Sequence, residues 1–226
     1  MIFVLLSLSK VLNLQAYYSN QTLAMHIAME AALGSCLFQD ADVVWLTNPL
    51  LNLRKQATAT NPSSKRMPKY DTQWMDDGAR TVRFAPFFAN TGFFYLANTH
   101  KVRQFWDHLV HSSLFSDMWR SQQAVVNWLL ELHHSRLGLT VRILPHRKYV
   151  SGKYLTTTAH KSFLHRIKQQ VELARIRSTG LEVSVLHFCW TRNWEAKIAA
   201  MRRIGSLYVP ADALSSNLSV VHHTRR

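Results

Sequence analysis

Only two cysteines, Cys36 and Cys189, occur in this chain of 226 residues. So few exclude a disulfide framework and any four-cysteine metal site, and their apolar neighbours suit buried free thiols. No uninterrupted apolar run is long enough to cross a bilayer. The stretch over residues 1–14 is broken by Lys10 and Asn13 and has no basic segment before it, so it reads equally as a weak signal segment or a buried strand. Zinc-finger spacing, an RNP-like aromatic box and a run of five basic residues are all missing, which argues against a nucleic-acid partner. There is no internal repeat and no low-complexity block. Acids are scarce as well, 13 against 27 Lys and Arg, for a formal charge of +14. That excess favours anionic partners, although basic side chains spread along solvated helix faces account for much of it.

A composition of 47% hydrophobic and 18% charged residues describes a folded chain, long enough for one domain with a sizeable core. The expected division is a domain over 1–209 and a polar, loose tail over 210–226. Sequons at Asn20 and Asn217 would matter only in a lumenal protein.

Two of the scarce acids stand one residue apart in Phe38-Gln39-Asp40-Ala41-Asp42-Val43-Val44-Trp45-Leu46-Thr47-Asn48-Pro49-Leu50. Asp is a poor strand former, so a pair of them between two strand-like runs needs a reason. Open α/β sheets bind ligands at the carboxyl edge of their strands. Two hard oxygen donors at such an edge suit Mg2+ or Mn2+, ions that fill their remaining positions with water or ligand phosphate. Taken alone, Asp-x-Asp is also a common turn or helix cap.

Alternating patterns fill the rest of the chain. A helix is expected over 22–33, with Thr22 as cap and Gly34 as stop, followed by a strand over 35–39. Residues 54–81 read as a long surface loop with turn signals at both ends, among them Asp76-Asp77-Gly78. Phe93-Phe94-Tyr95-Leu96 reads as a buried strand, and Asn90-Thr91-Gly92 as a tight turn leading into it with close backbone approach. Helices are expected over 100–111, 118–134, 160–178 and 194–204, and strands over 141–145 and 183–188. The pattern predicts an α/β sandwich with a largely parallel sheet.

Taken in order, five blocks resemble one family. They are Asp40 to Leu50, Asn90 to Tyr95, Gln123 to Asn127, Ile143-Leu144-Pro145 with Gly152, and His187 to Trp190 with Lys197. Together they resemble the nucleotide-diphospho-sugar transferases, the GT-A-type group that includes plant rhamnogalacturonan xylosyltransferases and extensin arabinosyltransferases. The resemblance implies a GT-A-like mixed, mostly parallel sheet flanked by helices. It implies a Golgi-lumenal, membrane-associated, retaining glycosyltransferase that moves a sugar from a UDP-sugar to a glycan or glycoprotein with Mn2+ or Mg2+. Asp40, Asp42 and His187 would hold the metal. Asp40, Asp42, Thr91, Gly92, Arg192 and Lys197 would bind the donor, and Asn90, Gln122 and Gln123 would take the catalytic positions. Gln123 and Asn127 share a helix face that would look toward the acceptor. On its own, a lone His in an apolar strand is more often a core residue, and Arg192 and Lys197 equally suit a solvated face.

Two departures accompany the resemblance. Gln122 stands where the family commonly has Asp, and only 39 residues precede Asp40, so the opening strand and helix read as shortened or absent. A membrane anchor would then lie upstream. A catalytically inactive GT-A-like binding protein is the alternative to an enzyme.

Overall fold

The computed structural model describes residues 2–5, 31, 34–57, 70–78, 88–113, 122–156, 161–175 and 181–206. Its elements run β1 (Ile2–Leu5), β2 (Cys36–Gln39), β3 (Val43–Trp45), α1 (Leu50–Ala57), β4 (Thr72–Asp76), β5 (Ala89–Leu96) and α2 (His100–Ser113). They continue with α3 (Gln122–Leu137), β6 (Val141–Leu144), β7 (Tyr149–Ser151), α4 (Gly152–Thr156), α5 (Lys161–Arg175), β8 (Val185–His187) and α6 (Trp194–Ile204).

A five-stranded sheet has the order β1-β2-β5-β4-β6 and a three-stranded sheet the order β3-β8-β7. β1 and β2 are parallel, as are β4 and β6, while β5 is antiparallel to both its neighbours. Four strands of the large sheet therefore share one direction and β5 alone is reversed, the mixed, mostly parallel arrangement expected from the sequence. In the small sheet β8 pairs antiparallel with β3 and parallel with β7.

Strand side chains alternate, and both faces of the large sheet are apolar. Cys36, Phe38, Trp74, Phe94 and Leu96 face α2 and α3, meeting Val102, Phe105, Trp106, Leu109, Val125 and Leu129. Leu37, Met75, Phe93 and Tyr95 face the other way, onto Leu50 and Leu53 of α1 and onto Tyr149 and Val185 of the small sheet. Phe94 is the hub of the first cluster, stacked 4.4 Å from Trp74, 4.9 Å from Phe38 and 5.8 Å from Trp106. Such ring pairs contribute about 0.5–1.5 kcal/mol each beyond the area they bury. A third cluster packs Val150, Leu186 and Phe188 under α5 and α6 through Ile167, Val171, Met201 and Ile204.

α6 shows why its sequence stops where it does. Asn193 caps it by accepting from the Ala196 amide at 2.9 Å, and Gly205, at φ 79°, takes the left-handed turn that ends it. Glu195 in the first turn and Arg202 and Arg203 in the last complement the helix dipole.

Several expectations are revised. The loop expected over 54–81 contains the end of α1 and all of β4, whose five residues are buried in the large sheet. Polar flanks and a Thr-Gln start disguised this strand; Gln73 is satisfied there by donating to the Leu53 carbonyl at 2.9 Å and accepting from Arg142 at 3.1 Å. Asn90-Thr91-Gly92 is not a turn before β5 but part of it, at a register shift where Trp74 opposes Phe94 while Met75 opposes Asn90. β7 and α4 were not anticipated. The run over 1–14 does contain a strand, β1, which pairs parallel with β2. Cys36 is a buried free thiol, but Cys189 is only half buried. The helix over 22–33, apart from helical Ala31, lies outside the described residues, as do both sequons and the tail from 210. Among the described residues no helix is long and apolar enough to cross a membrane.

A buried imidazole ties α2 to α3. His133 is 1% exposed, stands edge-on to Phe105 and lies 2.9 Å from the His108 ring nitrogen. Burial, and then the charge of His108, push its pKa below the usual value near 6.5. A base with a depressed native pKa binds fewer protons folded than unfolded, so its stability contribution is complete above pH ~6.5 and is lost as pH falls below it. The melting temperature of the wild type should accordingly drop more steeply between pH ~7.5 and ~5.5 than that of His133→Phe. Equal slopes in a paired thermal-melt series would show that His133 does not set this dependence.

Candidate metal and donor site

The site lies where the two sheets meet. β2 ends at Gln39, and the next amide, that of Asp40, donates to the Gly92 carbonyl on β5 at 2.8 Å. The chain then reverses, with the Val43 amide donating to the Asp40 carbonyl at 3.2 Å, and enters β3 in the other sheet. Val43 pairs with His187, the last residue of β8, and the Phe188 amide donates to the Asp42 carbonyl at 3.1 Å. Both strands thus deliver their side chains to one point.

His187 Nε2 lies 3.6 Å from Asp40 Oδ2 and 3.4 Å from Asp42 Oδ1. One ligand atom from each of the three residues falls within 4.8 Å of the others. Adjacent ligands on an octahedral ion bound at ~2.1 Å are roughly 3 Å apart, so a small contraction would close this group on a Mg2+-sized or Mn2+-sized cation. Two carboxylate oxygens and one imidazole nitrogen form the hard donor set such ions take. Asp42 and His187 are buried and Asp40 is partly open, which leaves a side for a ligand.

Electrostatics support the same reading. Burial alone would push the Asp42 carboxyl up, but His187 and Lys197 outweigh it and hold Asp42 well below the usual carboxylate range. Burial alone would lower His187, yet Cys189 and the carboxylates of Asp40 and Asp42 raise it well above the ordinary imidazole value. Ion binding therefore competes with a proton on His187. Lys197 Nζ sits 2.5 Å from Asp42 Oδ2, the oxygen turned away from His187. Lys197, expected from the resemblance to bind the donor, orients Asp42 in this structure.

Gly92 forms the floor. A Cβ built there would collide with His187 Cε1 and Asp40 Oδ2, so only glycine lets β5 pass beneath the group. Asn90 holds this backbone by accepting from the Gly92 amide at 2.8 Å and donating to Asp77 Oδ1 at 2.8 Å. Gln123 Oε1 accepts from the Thr91 amide at 3.1 Å. Asn127 clasps Ala89, accepting from its amide at 2.7 Å and donating to its carbonyl at 2.8 Å. The shared face of Gln123 and Asn127 thus grips β5. Gln122 lies in the first turn of α3, with its side chain outside the described residues, and Arg192 is exposed just before α6.

The sequence reading missed a second group. Asp76 and Asp77, both 5% exposed, end β4 beside β5. The Asp77 carbonyl accepts from Ser151 Oγ at 3.1 Å and from the Trp190 indole at 3.0 Å, and Lys153 donates to the Gly78 carbonyl. Gly152 allows a further close crossing, since a Cβ there would run into the Cys189 backbone. The signal in the sequence, Asp76-Asp77-Gly78, is the same as that of an ordinary turn.

Comparison with known proteins fits this geometry. The family model of the nucleotide-diphospho-sugar transferases matches residues 34–201, most of the chain. The chain belongs to this family. Among solved structures it is similar to a glycosyltransferase involved in the glycosylation of the major capsid of PBCV-1, with a TM-score of 0.50 and 14% identity over 87% of this chain and 81% of the other. The galactosyltransferase LgtC, solved with donor and acceptor sugar analogues, matches less closely, with a TM-score of 0.42 and 16% identity over 86% and 70%. No curated protein matches the chain. Fold and family are those of a GT-A-type nucleotide-sugar transferase, as the ordered motifs implied.

Replacing Gly92 tests the floor directly. Gly92→Ala should fold with an overpacking cost of about 1–3 kcal/mol and bind Mn2+ at least ~10-fold more weakly in calorimetric titration, because Asp40 and His187 must move apart. Unchanged affinity would mean that the spacing over Gly92 does not control ion binding.

Proposed function

We propose that this transferase moves a sugar from a nucleotide-diphosphate sugar, a UDP-sugar, onto a glycan or glycoprotein acceptor, and that it depends on Mn2+ or Mg2+. The observation that carries the reading is the convergence of Asp40, Asp42 and His187 over Gly92 inside the stretch the family model covers. When bound, the cation would supply positive charge to the leaving diphosphate as the glycosidic bond breaks.

The chain's own residues act around it. Asp40 and Asp42 bring two charges and His187 one neutral nitrogen, with Lys197 keeping one Asp42 oxygen occupied so that the other faces the site. Asn90 and Gln123 hold the backbone of Gly92 and Thr91 in place, so the residues proposed to lie beside the donor sugar are fixed before it arrives. Arg192, exposed at the start of α6, is proposed as the residue that meets the diphosphate. Retention of anomeric configuration, a Golgi-lumenal location and membrane association belong to the same proposal and are supported by the resemblance alone.

The test is a thermal-shift and hydrolysis series. UDP with Mn2+ should stabilise the wild type, by about 2.7 kcal/mol at 100 times the dissociation constant, and UDP-sugar hydrolysis should require the ion. Asp40→Ala is the cleaner variant. Asp42→Ala strands Lys197 and His187 in a buried site, an added cost of about 3–5 kcal/mol. Both should lose the ion-linked shift, and its full retention in Asp40→Ala would overturn the assignment. Ion-dependent UDP binding without hydrolysis or transfer would favour the binding-protein alternative.

A further inference from the structure

Trp190 carries a burden that the core does not explain. Among the described residues it is the non-glycine with a positive φ, 61°, a left-handed conformation that a bulky side chain rarely adopts. Burial offers no compensation, because the residue is 50% exposed. Its orientation is nevertheless fixed. The indole N–H donates to the Asp77 carbonyl at 3.0 Å, and the Lys153 ammonium sits 5.4 Å from the ring centroid. Strain held by surrounding contacts at an exposed side chain points to a function.

Its position says which function. Trp190 follows His187 by three residues, so the chain keeps the two within roughly 10 Å, about the length of two sugar rings. Asp77, which anchors the indole, also anchors Asn90, which in turn holds Gly92 beneath Asp40 and His187. We propose that the Trp190 indole is the platform on which a sugar ring of the acceptor stacks, a refinement that rests on the transferase reading above. A pyranose presents an apolar face of weakly positive C–H groups, which matches the negative face of an aromatic ring. A ring already held in place orders little on binding, so even a weak stack orients the acceptor.

The experiment uses the full chain and, as probes, the methyl glycosides of common neutral pyranoses. Saturation-transfer NMR and titration read glycoside binding, and the UDP and Mn2+ thermal shift is recorded in parallel. Trp190→Gly removes the ring at a φ that glycine tolerates, so relief of backbone strain offsets the lost Asp77 and Lys153 contacts and the variant should still fold. At least one glycoside should bind the wild type with saturation concentrated on the C–H protons of one ring face. Trp190→Gly should weaken that binding by ~10-fold or more and Trp190→Phe by no more than roughly threefold, with the UDP and Mn2+ shift intact in both. Equal glycoside affinity in Trp190→Gly, no glycoside binding by the wild type, or a loss of UDP affinity in its place would overturn the platform. If UDP and Mn2+ fail to stabilise the wild type while Trp190→Gly still loses the glycoside, the transferase reading falls and the sugar site stands.

Discussion

The constraint on which this molecule turns is the contact between Gly92 and the pair Asp40 and His187. One strand of the large sheet must pass directly beneath side chains that arrive from the end of β2 and the end of β8. With glycine there, the Asp40 amide reaches the Gly92 carbonyl and the two sheets share a seam. Any larger side chain would separate the carboxylate from the imidazole. The seam is therefore a packing feature that also sets the spacing of the candidate ion ligands, and its geometry is fixed by backbone.

Strand direction explains why these particular residues meet. β2, β4 and β8 place Asp40, Asp76 and His187 at or just past their carboxyl ends, where open sheets bind ligands. β5 is reversed, so it contributes the residues of its beginning, Asn90 to Gly92, to that same edge. The register shift opposite Met75 bends β5 where it must pass the other two. β7 runs parallel to β8 and pairs Ser151 with His187, which brings Gly152 and Lys153 to the edge as well. One reversed strand thus converts five distant stretches of sequence into one site.

Much of this was legible beforehand and some was not, for physical reasons. Long periodic stretches such as α2 announce themselves, because an apolar stripe is a local signal. The Asp40-Ala41-Asp42 block could be read because two acids between strand-like runs contradict the local pattern. β4 escaped notice because a strand buried on both faces need not alternate, and the partners of its Gln73, Leu53 and Arg142, are distant in sequence. The roles of Gln123 and Asn127 could not be assigned from their shared helical face, since spacing fixes which residues share a face and says nothing of what it meets. Lys197 is the same kind of case. Its helix position was visible, whereas its partner, Asp42, lies 155 residues away.

Asp71 shows how the same acidic chemistry separates into structure and function. It is as buried as Asp42, at 3% and 6% exposure. Yet every group it meets is a neutral donor: Thr99 Oγ1 at 2.9 Å, the Thr140 amide at 2.9 Å and Thr140 Oγ1 at 2.7 Å. Its two oxygens join the start of β4 to β6 and to the start of α2. Asp42 instead meets charged partners, His187 at one oxygen and Lys197 at the other, with the Asp40 carboxylate against the same imidazole. The difference lies in the partners and not in burial or residue type: Asp71 is closed in by neutral donors, whereas Asp40, Asp42 and His187 form a charged group that is open on the Asp40 side.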